Sequence, residues 1–431
     1  MKPILKLLLP LSLFATACGQ QETENSLSAQ DIEGKQIYVP KDLADNLVNN
    51  PSDTSSWSYR RMSLTENFAI FWQKGFGDNL DNPPDLHGKN MSVNLQNLQK
   101  KLEYFYGYYR DTLKFVGDNS LAEKYRMMIM LWYSLEGTAY GGDYDQKIGA
   151  FWVAPNRIQD TALNCVAHEL GHSFQMQAQI DKGGLTEDNY WDCGPFYEMT
   201  SQFMLWRVNP DWIRDEKYHW DAFRVQTFKA FLSWENAYHS PYVLEFWAEK
   251  RGADIIAKMF QNAQKGEDAV DVYKRLTGIS QEEFCKEMLE ANCRILNLDF
   301  KHAYHNTRQY VLPFSTKMHS VSGGYMQVDE SNRPENYGFN AIEIDFRGKE
   351  TVNADLVPER NENVKFYTQF VGIDNDGKAI YGDVDSKTFK IPDGGLKTLY
   401  YVVMPAPKTH FHNVADPETQ QNPNYGYKIK M

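Results

Sequence analysis

Asn164-Cys-Val-Ala-His-Glu-Leu-Gly-His-Ser-Phe-Gln175 sets two histidines, His168 and His172, four residues apart, with Glu169 directly after the first. On an α-helix, positions i and i+4 share a face one turn apart. Two imidazoles so placed can converge on one Zn²⁺, at about 2.0–2.1 Å per Zn–N bond. The glutamate then lies beside the metal, placed to take a proton from a zinc-bound water. The surroundings agree with a helix. Leu163, Val166, Ala167, Leu170, Phe174 and Ala178 recur at helical spacing, which predicts an amphipathic helix over residues 161–179 with one buried face. Asp160, directly before this run, is the expected N-cap. Ile148-Gly-Ala-Phe-Trp-Val153 reads as a strand, closed by Ala154-Pro-Asn156. The competing reading is a helix with two solvated histidines and a surface glutamate.

A catalytic zinc needs a third protein ligand and one position open to water. The extended pattern H-E-x-x-H-x-x-G-x-x-H is excluded, because Gln175 and Ala178 stand where its glycine and third histidine belong. A carboxylate from a second helix is the next source. Gly194-Pro-Phe-Tyr-Glu-Met-Thr-Ser-Gln-Phe-Met-Leu-Trp206 fits, with Pro195 at the first turn and Phe196, Met199, Phe203 and Trp206 on an apolar side. Glu198 falls in its first turns, giving His168, His172 and Glu198 as the expected Zn²⁺ set. Asp192 and His219 compete as ligands. The structural alternative for Glu198 is a charge favoured by the helix macrodipole.

His168-Glu169-x-x-His172 followed by Glu198 resembles the gluzincin clan, the thermolysin-like zinc peptidases. The resemblance implies zinc on His168, His172 and Glu198, with Glu169 as general base. It also implies a two-part catalytic domain with the metal between its lobes, and an edge strand, here residues 148–153, that pairs with extended peptide. Thermolysin carries an Asp one turn after its glutamate ligand, whereas this chain has Gln202 at that offset. A glutamine carbonyl can hold an imidazole N–H but adds no negative charge. The clan supplies a Tyr or His to the developing oxyanion from the region after the glutamate helix. Asn236-Ala-Tyr-His-Ser-Pro-Tyr242 offers Tyr238, His239 and Tyr242, of which Tyr238 and His239 are the catalytic candidates. With 26 tyrosines in the chain, packing is the competing role. Thr65-Glu-Asn-Phe-Ala-Ile-Phe-Trp72, Gly149-Ala-Phe-Trp-Val-Ala-Pro155 and the His-Glu-Leu-Gly-His-Ser-Phe-Gln run also resemble a family of secreted or lipid-anchored bacterial proteins of unknown function, over about residues 57–400.

Residues 1–17 read as an address, with Lys2 and Lys6 ahead of the short apolar run Leu7 to Phe14. That run falls short of the ~20 residues a membrane-spanning helix needs. Ala15-Thr-Ala-Cys18 resembles a lipobox, which implies a lipid on Cys18 and a body held at the bacterial outer membrane, on its periplasmic face or at the cell surface. The alternative is ordinary secretion with cleavage near Ala17. Outside the cytoplasm an oxidised pair is permitted. A Cys165–Cys193 bridge is conceivable if the two zinc-bearing helices approach, and two small buried thiols are the alternative. Cys285 and Cys293 lie roughly 12 Å apart on one apparent helix at 1.5 Å per residue, too far to bridge unless that helix breaks. His410-Phe-His412 could bind metal adventitiously at a strand surface. A net charge of −12 with no basic cluster argues against nucleic acid as a partner.

Helix is expected at 92–115, 220–232 and through most of 241–300, and strand at 66–72 and 124–133, with a Gly-rich loop over 137–145. After about residue 310, alternating segments such as Ala341–Phe346, Val364–Val371, Thr388–Ile391 and Thr398–Met404, separated by turn clusters, carry a β-sandwich pattern. The expectation is an α+β chain. It comprises a signal peptide (1–17), a polar, acidic tether and lead-in (18–55), a gluzincin-like zinc metallopeptidase domain with a mixed sheet and a helical subdomain (56–308), and a β-sandwich (309–431). The functional expectation is a lipid-anchored extracytoplasmic zinc peptidase acting on protein or glycoprotein. Two alternatives stand beside it: a cell-surface glycan- or glycoprotein-binding lipoprotein with a degenerate zinc site, and metal-dependent hydrolysis of a non-peptide amide.

Overall fold

The computed structural model describes residues 34–186, 189–412 and 418–431. The expected signal peptide, Cys18 and much of the tether lie outside the described residues. Among the described residues, every helix and strand belongs to the compact unit Lys35–Met431. No helix among the described residues is long and apolar enough to cross a membrane.

The first half is organised by a five-stranded sheet of order β1-β2-β3-β5-β4. Its strands are β1 (Met62–Leu64), β2 (Phe68–Trp72), β3 (Met127–Leu131), β4 (Ala139–Tyr144) and β5 (Ile148–Val153). β2, β3 and β5 run parallel, while β1 and β4 flank them antiparallel. Phe-Ala-Ile-Phe-Trp and Met-Met-Ile-Met-Leu are unbroken apolar runs and are buried throughout, as parallel strands covered on both faces require. Between β2 and β3 the chain forms α1 (Leu95–Gly107) and the short α2 (Leu121–Lys124). After β5 comes α3 (Asn164–Asp181), the helix that carries His168 and His172.

Three expectations differ from the observed elements. Residues 148–153 are not the edge strand, because β5 pairs with β3 on one side and β4 on the other. The edge is Ala139–Tyr144, the stretch whose glycines read as loop. Glycine serves close approach there rather than turning. A Cβ on Gly141 would lie 2.1 Å from the Glu169 carbonyl oxygen and 2.6 Å from the His172 Cβ. Asp160 does not cap α3 either. Leu163, in the left-handed region at φ 57°, is the N-cap, and the Asp160 carboxylate accepts from the Leu163 N–H at 2.6 Å.

The helical half continues with α4 (Phe196–Val208), α5 (Trp212–Asp215), α6 (Lys217–Arg224), α7 (Tyr242–Arg251), α8 (Ile255–Asn262), α9 (Ala269–Thr277), α10 (Gln281–Ile295) and α11 (Tyr304–Thr307). The helix expected over 220–232 ends at Arg224. Beyond it the Thr227 and Phe228 carbonyls accept from the backbone N–H groups of Phe339 and Glu335, both at 2.7 Å. Tertiary bonds therefore replace helical ones. α10 begins at a capping box formed by Ser280 and Glu283.

The remaining strands are β6 (Met318–Val321), β7 (Tyr325–Val328), β8 (Asn340–Glu343), β9 (Thr351–Asn353), β10 (Asp355–Pro358), β11 (Val364–Ile373), β12 (Ala379–Tyr381), β13 (Thr388–Lys390), β14 (Thr398–Pro407) and β15 (Tyr427–Lys430). They make two four-stranded sheets, β10-β15-β7-β6 and β12-β11-β14-β8, and the two-stranded ladder β13-β9. One apolar cluster draws on both four-stranded sheets, through Val328, Tyr427 and Ile429 from one and Ile342, Phe370, Tyr401 and Val403 from the other. The opposite face of β11 and β14 joins the main core, through Val371, Val402, Met404 and Ala406. These two strands are covered on both sides, so β14 is buried almost without alternation. Cys165, Cys193, Cys285 and Cys293 are free thiols.

Candidate metal centre

α3 presents His168 and His172 on one face, and α4 brings Glu198 against it. The helices meet closely because Gly171 leaves room for α4: a Cβ there would lie 2.9 Å from Ser201 Oγ. The Nε2 atoms of His168 and His172 are 3.1 Å apart, and each is 3.2 Å from Glu198 Oε2. Three donors at about 2.0–2.1 Å from a tetrahedral Zn²⁺ stand about 3.3 Å apart. The residues present therefore fit the ion. Glu169 offers a carboxylate oxygen within 4.8 Å of both histidines' ligand atoms and is itself buried.

Each imidazole is held from behind by a glutamine. His168 Nδ1 lies 3.3 Å from Gln202 Oε1. The amide of Gln202 is fixed the other way round, since its Nε2 donates to the Tyr238 carbonyl at 2.6 Å. A carbonyl only accepts, so a neutral His168 would carry its proton on Nδ1 and present Nε2 to a metal. His172 repeats the arrangement. Its Nδ1 is 3.2 Å from Gln175 Oε1 and 3.0 Å from Ser201 Oγ, while Gln175 Nε2 donates to the Tyr197 carbonyl and to Ser201 Oγ, both at 3.1 Å. The Tyr197 ring stacks on His172 at 4.2 Å between centroids. Gln202 occupies the place its spacing suggested. Gln175, Ser201 and Tyr197 escape sequence reasoning; Gln175 is visible there only as the residue excluding a third histidine.

The electrostatics favour positive charge between the three donors. Burial pushes the Glu198 carboxyl up, but His172 and His168 outweigh it and hold the group far below the usual carboxylate range. Burial pushes His168 down, yet Glu198 and Glu169 raise it to about 9. The three donors thus favour a proton where a divalent cation would sit.

Among the remaining candidates, Tyr238 lies nearest the centre. Its ring stacks at 6.0 Å over His168; burial, then the charge of Glu198, raise its pKa. Tyr238 as a whole is 46% exposed. His239 faces elsewhere, with Nδ1 2.6 Å from His219 Nδ1, and among the described residues it makes no hydrogen bond to His168, His172 or Glu198. His219 reaches the centre only through Gln202 Nε2, at 3.3 Å. Tyr242 is buried among Trp206, Trp220 and Phe223. Asp192 accepts from the Gly194 N–H on the surface.

No curated protein matches this chain. Among solved structures it is similar to the ZmpB metallopeptidase from Clostridium perfringens, at 14% identity and a TM-score of 0.31, over 88% of this chain and 70% of that one. It is also similar to the M60 catalytic domain of Clostridium perfringens ZmpC in complex with the sialyl T antigen, at 13% identity and a TM-score of 0.32, over 88% and 70%. The M1 zinc metallopeptidase from Deinococcus radiodurans is similar at 10% identity and a TM-score of 0.27, over 60% of this chain and 52% of that one. A family model matches residues 29–431, and the chain belongs to that family, described as a family of unknown function (DUF6055).

Proposed function

We propose that this chain is a zinc-dependent peptidase, with His168, His172 and Glu198 as the metal's ligands. The observation that carries the reading is the 3.1–3.2 Å triangle of their donor atoms, with Glu169 beside it. An ion held there would polarise a scissile carbonyl and acidify a water molecule. Glu169 takes the proton from the attacking water and passes it to the leaving amine. Tyr238 donates its phenolic hydrogen to the oxygen on which negative charge develops. The outer edge of β4 runs beside the Glu169 turn of α3, and extended peptide adding to it brings a backbone amide to the centre. On this reading residues 309–431 form a β-sandwich domain, and a lipid on Cys18 tethers the body outside the cytoplasm.

A peptide library digested with and without chelator tests the activity. Glu169→Ala is expected to abolish cleavage while zinc stays bound. Full cleavage by a zinc-replete Glu169→Ala protein would sink the mechanism. Labelling with a radioactive fatty acid should mark the wild-type chain and not Cys18→Ala.

A further inference from the structure

Asp268 and Asp271 open α9, and His410-Phe-His412 follows β14. One ligand atom from each of Asp268, Asp271 and His412 lies within 4.8 Å of the others. His412 Nδ1 is 3.9 Å from Asp268 Oδ2 and 4.0 Å from Asp271 Oδ2. Asp268 is fixed. Its carboxylate is buried, its Oδ1 accepts from the N–H groups of Val270 at 2.9 Å and Asp271 at 3.1 Å, and its Oδ2 meets His410 Nε2 at 2.8 Å. His410 is held in turn, because the Tyr337 hydroxyl sits 3.0 Å from its Nδ1 and accepts from Gln281 Nε2 at 3.0 Å. Asp271 and His412 are the adjustable partners. Each side chain is 37% exposed, and neither makes a side-chain hydrogen bond among the described residues.

The buried, hydrogen-bonded carboxylate of Asp268 and the second carboxylate of Asp271 gather acceptor oxygens around the His412 ring. Two carboxylates and an imidazole suit a first-row divalent cation, since the nitrogen donor disfavours calcium and magnesium. The two edges from His412, 3.9 and 4.0 Å, close to the roughly 3.3 Å of tetrahedral zinc by a small movement of partly exposed side chains, and the carboxylate oxygens already lie within 4.8 Å of each other. Backing of one ligand by His410 and Tyr337 is the support that metal-binding carboxylates ordinarily receive.

We propose that Asp268, Asp271 and His412 bind a second divalent cation of the zinc class, separate from the α3–α4 centre, with His410 orienting Asp268. The ion would tie the segment after β14 to the start of α9.

The test uses the full chain carrying His168→Ala and His172→Ala, which removes the imidazoles of the other centre. After equilibration with Zn²⁺ and gel filtration, elemental analysis should find one zinc per chain, against two in the wild type. Adding Asp271→Asn and His412→Ala should remove it. Both substitutions leave the Asp268 cap intact, and circular dichroism should match. Zinc should raise Tm before these substitutions and not after. A His168→Ala/His172→Ala chain that retains no zinc, or zinc retention indifferent to the second pair, would overturn the assignment. Stoichiometric binding of Ca²⁺ in preference to Zn²⁺ would overturn the cation class.

Discussion

Imidazole and carboxylate gather at two places in this chain, and the two differ in what holds the donors. Between α3 and α4 the donor atoms already stand 3.1–3.2 Å apart, and each imidazole is locked by a buried glutamine. At α9 one carboxylate is fixed, while the partly exposed His412 sits 3.9 Å from it and 4.0 Å from the equally exposed Asp271. Rigid donors lose little freedom when they bind, whereas mobile ones must be ordered first. On the proposed reading, the first place suits chemistry that tolerates little displacement, and the second suits fastening.

The harshest way to break the contrast is His172→Ala. Removing a locked donor should strip zinc from the α3–α4 centre and take peptide hydrolysis to background, while zinc at the α9 cluster survives in elemental analysis. Glu169→Gln separates chemistry from binding: zinc content should hold, and kcat should fall about 10²–10⁴-fold. Tyr238→Phe should also keep the metal and lower kcat about 10²–10³-fold, as loss of an oxyanion donor does. Gln175→Ala or Gln202→Ala sharpens the comparison most directly. If positioning distinguishes the two places, competition with a chelating dye should report zinc affinity lowered about 10–100-fold; unchanged affinity would remove the distinction.

The smallest effect concerns pH at α9. Burial pushes the Asp268 carboxyl up, but its bond to His410 and its charge attraction hold it below the ordinary value. A depressed folded-state pKa contributes stability above the unfolded value near 3.9, and that stability is lost as pH falls through the folded value. Asp268→Asn keeps an N-capping oxygen. Its urea midpoint should therefore trail the wild type at pH 6 and converge on it below about pH 4.

The placement of the candidate donors is more legible in the sequence than the sheet that frames them. Spacing alone puts His168 and His172 on one helical face and Glu198 on a second helix, because local periodicity encodes what a helix presents. Gln175 and Ser201 are not legible, since their function arises where α3 crosses α4 and no single helix records that crossing. β4 reads as loop because its glycines follow from the closeness of Glu169 and His172, a demand set by tertiary packing. The 225–232 stretch loses its helix to backbone pairing with residues more than a hundred positions later. Asp160 has the right chemistry in the wrong place, one turn ahead of the residue that begins α3.

Because β11 and β14 face two cores at once, the strands after the expected boundary near residue 308 share apolar packing with the helices before it. Val371, Val402, Met404 and Ala406 complete the same apolar cluster as Met288 and Ile295 of α10. A chain truncated after residue 308 would leave that flank of α10 wet and strand the Thr227 and Phe228 carbonyls without their donors. Recombinant expression of residues 56–308 alone should accordingly yield aggregate. The minimal soluble unit must carry the C-terminal strands, whatever those strands contribute to recognition.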